Sequence, residues 1–393
     1  MLFRSRSAIV ALVTLATFAD IVAYAVAIPV LPDLSRRLGA SPTMVGLLFG
    51  SFGFTLLAIS IPMGAVSDRV GRRAPMVAGM AALSAATLLF ARGTGLPWLF
   101  AARLVQGAAD AITWVVGFAL VADLYAPSER GRVTGIVMSG TSFAVIVGPS
   151  IGGWLYEIGG TALPFLAVAV LAAVIAVAFT LAEMPDNRAP RESMNVMSVM
   201  RTPAILVCAV VVVVASSTIT MMEPVLALRL QSLGVGPGRV GTIFGVGAVA
   251  STALHPIIGR LADRWGARRL TMCGLVASAF SLVAIGQTWS FTSTIVLFTI
   301  VAASSALVIT PSLAYMGEAT SAAGIASFGI AYGLYNMAWG TGLLSGPAIG
   351  GFLYERIGFS RLVWIWAPAL VAVTALLARV QSQGFPQKEN EPV

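Results

Sequence analysis

The chain has 393 residues, of which 58% are hydrophobic and 10% charged, with a formal net charge of +8. Soluble domains carry about 25% charged residues, and no polar stretch here is long enough to build a water-soluble core of its own. This excludes a multidomain soluble enzyme, and the placement of the arginines in loops between apolar runs excludes nucleic acid as the reason for the positive charge.

Apolar runs long enough to cross about 30 Å of hydrocarbon recur from one end to the other. Twelve spans are predicted, over 8–31, 43–66, 75–92, 98–122, 133–156, 162–182, 203–230, 240–261, 270–288, 292–316, 324–354 and 362–380. The first is too long for a signal-peptide core of about 7–15 residues and more spans follow, so an uncleaved helix is expected. It carries Asp20 about midway, with no basic residue in the same stretch. A charge at mid-bilayer costs at least about 2.5–3.5 kcal/mol, so Asp20 is expected to face a wet cavity or a partner.

After span two comes G-x-x-x-D-R-x-G-R-R, with Gly64, Asp68, Arg69, Arg72 and Arg73. Glycine permits a tight turn, the arginines hold the loop at one membrane face and meet helix C-termini, and Asp68 can pair with an arginine and release it. Span four places Arg103, Gln106, Gly107 and Asp110 on one face. Arg103 and Asp110 lie about 10 Å apart along the axis, so each is expected to meet another helix. Two readings stand: proton handling, or an ion network bracing the first half. Asp123, near the cytoplasmic end of span four, and Arg130 after it are assigned to gating or structure. Span five holds "SGTSFAVIVGPSIGG", whose Gly140, Gly148, Pro149, Gly152 and Gly153 suit close helix packing.

A charged, proline-containing interruption at 183–202 divides six spans from six and reads as a cytoplasmic linker with a short surface helix. Glu223 then ends a long apolar run. It either faces the central cavity and carries protons or cations, or sits at the membrane lip near Arg229. His255, before Pro256, suits packing better than a proton relay. Asp263 and Arg264 repeat the arginine loop. Cys208 and Cys273 lie in apolar helices without a ligand partner, so neither a disulfide nor a metal site is expected. The 324–354 run exceeds one straight span and must tilt or extend past the bilayer. Phe52, Trp114, Tyr332, Tyr335 and Trp339 are candidate cavity aromatics that would suit a cation, with Asn336 as a hydrogen-bonding neighbour.

The halves repeat. "PVLPDLSRRLGASPTMVGLLFG" from Pro29 recurs from Pro224, and "GAVSDRVGRR" from Gly64 recurs from Gly259, both at an offset of 195; "GPSIGGWLYEIGG" from Gly148 recurs from Gly346 at 198. Three ordered matches mean a duplicated six-helix unit, which places a substrate site between the halves near mid-bilayer. With both termini on one face, that face holds 16 basic residues against 7 on the other. The positive-inside rule makes it cytoplasmic.

The repeated loop, "RLVQG" from Arg103 and the G-P-x-x-G-G stretch resemble the major facilitator superfamily along essentially the whole chain. "FADIVAYAVAIPVLP", "VGLLFGSFG", "ARLVQGAADAITWVVGFALVADLYAPSERGRVTGIVMSG" and "MMEPVLAL" resemble more narrowly its drug:proton antiporters, including the vesicular monoamine and acetylcholine transporters. The resemblance implies proton coupling and cation recognition by Asp20 and Glu223, proton transfer near Arg103, and an antiporter motif in span five. The chain departs where Ser139 replaces the motif's first glycine, where Phe52 replaces a lysine of the vesicular proteins, where Asn336 replaces a late aspartate, and where Asp110 replaces a small polar residue. Neurotransmitter specificity is therefore not implied; a related exporter is.

The expected fold is an all-α membrane protein of twelve transmembrane helices in two pseudo-symmetric bundles, 1–182 and 203–381, around a central cavity, with a flexible tail at 382–393. The expected activity is proton-coupled antiport exporting lipophilic cations by alternating access. The alternative is an exporter or facilitator of a neutral metabolite, such as a sugar or an antibiotic. A monomer in the cell (plasma or inner) membrane is expected, with protons, a small molecule and lipid as partners and no cofactor or metal. No nucleophile–base pair, metal-ligand cluster or extramembrane domain points to an enzyme.

Overall fold

The computed structural model describes residues 5–184, 202–288, 290–322 and 328–379. The predicted linker helix and the tail lie outside the described residues. The helices are α1 (Arg6–Arg37), α2 (Pro42–Val70), α3 (Arg73–Arg92), α4 (Leu96–Leu124), α5 (Pro127–Gly159), α6 (Ala162–Leu181), α7 (Pro203–Ser232), α8 (Pro237–Trp265), α9 (Ala267–Ile285), α10 (Phe291–Ala322) and α11 (Phe328–Arg379). Among the described residues, eleven helices are long and apolar enough to cross a membrane. The expected spans 324–354 and 362–380 fall within α11, where two helical runs meet at a kink at Gly358, whose φ 75 and ψ 174 are not helical.

Local chemistry sets the boundaries. Ser41 accepts from the Met44 N–H at the start of α2, where Pro42 spends no helical donor. Pro203 and Pro237 likewise stand in the first turns of α7 and α8, which have no side-chain cap. Gly71 and Gly266 occupy the same place in the two arginine loops, at φ 84 and 87, a conformation that strains any residue with a Cβ.

Helix α1 packs on α5, α2 on α4, and α3 on α4 and α6; in the second part α7 packs on α11, and α10 on α8 and α9. The two parts meet along α2 with α11, α5 with α8, and α1 with α7. These contacts are tight at the face opposite the arginines. A Cβ on Gly46 would lie 2.2 Å from the Pro347 carbonyl oxygen, and one on Gly241 would lie 2.0 Å from that of Pro149. These pairs are equivalent under the internal repeat. Near the arginine-rich face the helices part: a Cβ on Gly131, Gly135 or Gly259 would meet nothing within 4 Å. Burial agrees, running unbroken from Ala25 to Ser35 in α1, while the buried positions of α2 stop at Gly53 save for Ser67. The molecule is closed on one side and open toward the arginines.

Candidate functional site: buried acids between α1, α4 and α7

Asp20 and Tyr24 lie one helical turn apart on α1 and so share a face. Asp20 is 1% exposed. It accepts a 3.1 Å bond from the Trp114 indole N–H. Its carboxyl group also lies within hydrogen-bonding reach of that of Asp110, which Trp114 reaches as well. Asp20, Asp110 and Trp114 thus form one buried acid pair with a single indole donor. Asp110 thus faces α1, whereas the hydrogen-bond partner of Arg103 is Gln106 of its own helix.

Glu223 is buried as well, and the Tyr24 hydroxyl donates to its Oε2. This bond joins the first part of the chain to the second. The Tyr24 ring packs 5.0 Å from Phe52, between that side chain and the acid. Glu223 is therefore held inside the molecule rather than paired with Arg229 at the membrane lip.

Arg103 is fully buried over four aromatic rings, Phe49 at 4.5 Å, Tyr24 at 5.3 Å, Phe52 at 5.8 Å and Phe90 at 5.9 Å. Its Nη1 donates to Gln106 Oε1 at 3.0 Å, while Nε and Nη2 have no partner among the described residues. Ring faces carry negative charge, so a desolvated guanidinium there gains about 2 kcal/mol or more. Gly107 allows this packing, since a Cβ there would lie 2.2 Å from the Phe52 carbonyl oxygen. Phe52 and Gln106 are thus neighbours of the buried cation. The sequence reading missed Tyr24, Phe49 and Phe90. The one-turn spacing from Asp20 was the available signal for Tyr24.

The other candidates divide. Tyr335 donates to the Ile309 carbonyl at 3.3 Å and stacks on Trp339 at 6.3 Å, which ties both rings to the α10–α11 packing. Asn336 is exposed, and the Tyr332 side chain lies outside the described residues. His255 hydrogen-bonds through Nδ1 to Thr310 at 2.6 Å, a link between α8 and α10. Cys208 is a buried free thiol and Cys273 an exposed one. In the span-five motif, a Cβ on Gly140, Gly148 or Gly152 would come within 2.6–2.7 Å of Thr14, Ala25 or Val26 of α1, and one on Gly153 within 2.3 Å of the Pro237 carbonyl oxygen. The motif packs α5 on both α1 and α8.

At the arginine-rich face, Arg72 pairs with Asp68 at 2.6 Å and with Asp123 at 2.8 Å, and reaches Ser67 at 2.6 Å. Arg130 caps the end of α4 through the Ala122 and Tyr125 carbonyls. Gly64 faces Val115 of α4, while Arg69 and Arg73 are exposed. The repeat does not carry the ion pairs across. Asp263 and Arg264 are exposed, and Asp263 makes no salt bridge among the described residues. Arg268 instead bonds the Leu377 and Ala378 carbonyls at the end of α11. The reason is local: Asp68 has Arg72 four residues on, whereas an extra residue in "GRLADRWGARR" shifts the second arginine pair by one position. Arg72→Ala is expected to strand two acids and lower the unfolding free energy by about 3 kcal/mol, read as a lower thermal midpoint in detergent. Asp263→Ala is expected to leave that midpoint unchanged.

The family model for the Major Facilitator Superfamily matches residues 13–230 and again 206–392. The vesicular acetylcholine transporter of Drosophila melanogaster is 25% identical, with 98% of this chain and 74% of that protein covered. The synaptic vesicular amine transporter of Rattus norvegicus is 27% identical, with 92% and 70% covered. The MFS-type transporter SLC18B1 of Homo sapiens is 25% identical, with 95% and 85% covered. Among solved structures, a bacterial homologue of the human lysosomal transporter Spinster, inward-facing and occupied, superposes with a TM-score of 0.80 at 16% identity, covering 95% of this chain and 96% of that one. The nucleoside transporter NupG gives a TM-score of 0.77 at 13% identity, covering 94% and 98%. Duplicated matches, the multi-pass helical fold and the shared architecture agree: the chain belongs to the Major Facilitator Superfamily and is a membrane transporter.

Proposed function

We propose that this transporter is a proton-coupled antiporter that exports lipophilic organic cations by alternating access. The observation that carries the reading is the set of three buried acids, Asp20 and Glu223 on α1 and α7, where the two parts of the chain meet, and Asp110 on α4 beside Asp20. One further buried charge, the Arg103 guanidinium, lies beside Tyr24 and Phe52. We read the helices as twelve spans, counting α11 as two arms about Gly358. They divide into six-helix bundles at 1–182 and 203–381, with the arginine-rich face and both termini in the cytoplasm of a cell (plasma or inner) membrane.

In this reading a cation enters from the open, arginine-rich side and competes with the proton held between Asp20 and Asp110. Trp114 supplies an aromatic wall and a fixed donor that keeps the acid pair in place. When the closed side opens, protons from that compartment reload the acids and displace the cation. The named amine and acetylcholine relatives favour cations over neutral cargo. Asn336 and the aromatic pair Tyr335 and Trp339 remain candidate cavity contacts on α11.

The test is purified protein in liposomes with an imposed pH gradient. Uptake of a lipophilic cation, such as a tertiary aromatic amine, is expected to collapse when the gradient is dissipated and to alkalinise the lumen in step with cation flux, as protons leave in exchange. Flux indifferent to the gradient and to substrate charge overturns the reading. Tyr24→Phe removes the donor to Glu223 but keeps the ring. It is expected to lower gradient-driven flux about tenfold, the worth of one hydrogen bond to a charged group. In a Glu223→Gln background the same change is expected to add little, which a double-mutant cycle measures.

A further inference from the structure

On the closed side, the first turns of α2 and α8 are each held by a glutamate from the other part of the chain. Glu157 Oε1, at the end of α5, accepts the Gly238 N–H of α8 at 2.9 Å. Glu355 Oε2, on α11, accepts the Thr43 N–H of α2 at 2.9 Å and also bonds Ser41. The two contacts are one contact used twice. Thr43 and Gly238 are related by the repeat offset of 195, and Glu157 and Glu355 by the offset of 198. One turn before each acid stands a motif glycine that lets the facing helix start approach. A Cβ on Gly153 would lie 2.3 Å from the Pro237 carbonyl oxygen, and one on Gly351 would lie 2.5 Å from that of Pro42.

We propose that Glu157 and Glu355 are paired latches that hold this side of the transporter shut. The first N–H groups of a helix have no partner within it, and that end of the helix carries partial positive charge. A carboxylate satisfies both needs, and here it comes from across the seam. The bonds must therefore break when α5 leaves α8 and α11 leaves α2, and they re-form when the side closes. The motif's glycine and its glutamate four residues later act together, the first permitting approach and the second rewarding it. This holds whatever the substrate, and it stands apart from the proton reading of the central acids.

The experiment uses the full chain in liposomes with Cys273→Ser, which removes the exposed thiol and leaves buried Cys208 as an internal monitor of unfolding. Ala227→Cys adds a reporter. Ala227 is fully buried one turn from Glu223, toward the closed side. Labelling by a membrane-impermeant maleimide is expected to be slow with both latches intact. Glu157→Ala and Glu355→Ala, which remove the acceptor, are each expected to raise the rate about fivefold, the scale of a lost helix cap, and together about 25-fold if they act independently. Cys208, read in the same variants without the reporter, is expected to stay unlabelled. An unchanged reporter rate in the double variant overturns the latch, and so does equal labelling of Cys208, which marks general loosening.

Discussion

Asp20→Asn is expected to reduce gradient-driven cation flux by at least about 100-fold while the protein still folds, the scale of a lost buried charge contact. Asparagine has nearly the same shape. Its carbonyl oxygen can accept the Trp114 indole N–H, and its amide can donate to Asp110, so the local bonds survive. What disappears is the site's ability to exchange a proton for a cation. Asp110→Asn tests the pair from the other side: it supplies a permanent donor to Asp20 in place of the shared proton. Cation binding is then expected to persist with a flattened dependence on pH. The measurements are initial flux in proteoliposomes over a range of pH, and thermal midpoints to check folding. Flux in Asp20→Asn within about threefold of the parent would remove Asp20 as the carrier.

A single methyl group at the closed seam is expected to be nearly as damaging. Gly241→Ala places a Cβ 2.0 Å from the Pro149 carbonyl oxygen and 2.7 Å from its carbon. These are backbone atoms in helix α5, with no rotamer to yield, so α5 and α8 must separate. Overpacking of this kind costs about 3 kcal/mol, which moves a two-state equilibrium by about 100-fold. The closed side then fails to seal, cycling slows by about that factor, and the Ala227→Cys reporter reacts faster. Gly46→Ala is expected to behave alike, because the Pro347 carbonyl oxygen stands 2.2 Å from its Cβ. Gly135→Ala is the control: its Cβ meets nothing within 4 Å, so flux is expected to stay unchanged. Equal effects at all three positions would mean that helix propensity, not the seam, governs the result.

Much of this site was legible in the sequence because burying a charge in hydrocarbon is costly wherever it happens. Asp20, Arg103, Asp110 and Glu223 stood out as ionisable residues in apolar runs, and all four are buried in one region. The G-P-x-x-G-G stretch foretold close packing. It did not say that one motif would serve two neighbours, α1 and α8. The arginine loop repeats in sequence, but its ion pair does not recur at Asp263, where a one-residue insertion changes which side chains face each other. The cavity aromatics on α11 were chosen by position alone, and Tyr335 proved to be tied to α10.

By itself the sequence determined the membrane-spanning class, the duplicated plan, the arginine-rich face and the identity of the buried acids. Each follows from local terms: transfer of apolar length, the cost of lone charge, and the repeat itself. Only the tertiary structure decided the pairing of Asp20 with Asp110, the hold of Tyr24 on Glu223, the ring cage around Arg103 and the glutamates that cross the seam. Those contacts depend on helix rotation and register to within about one residue, and a helix's own periodicity fixes neither against its neighbours. Which side is shut was likewise invisible, because opposite arrangements of one sequence differ by only a few kcal/mol spread over many contacts.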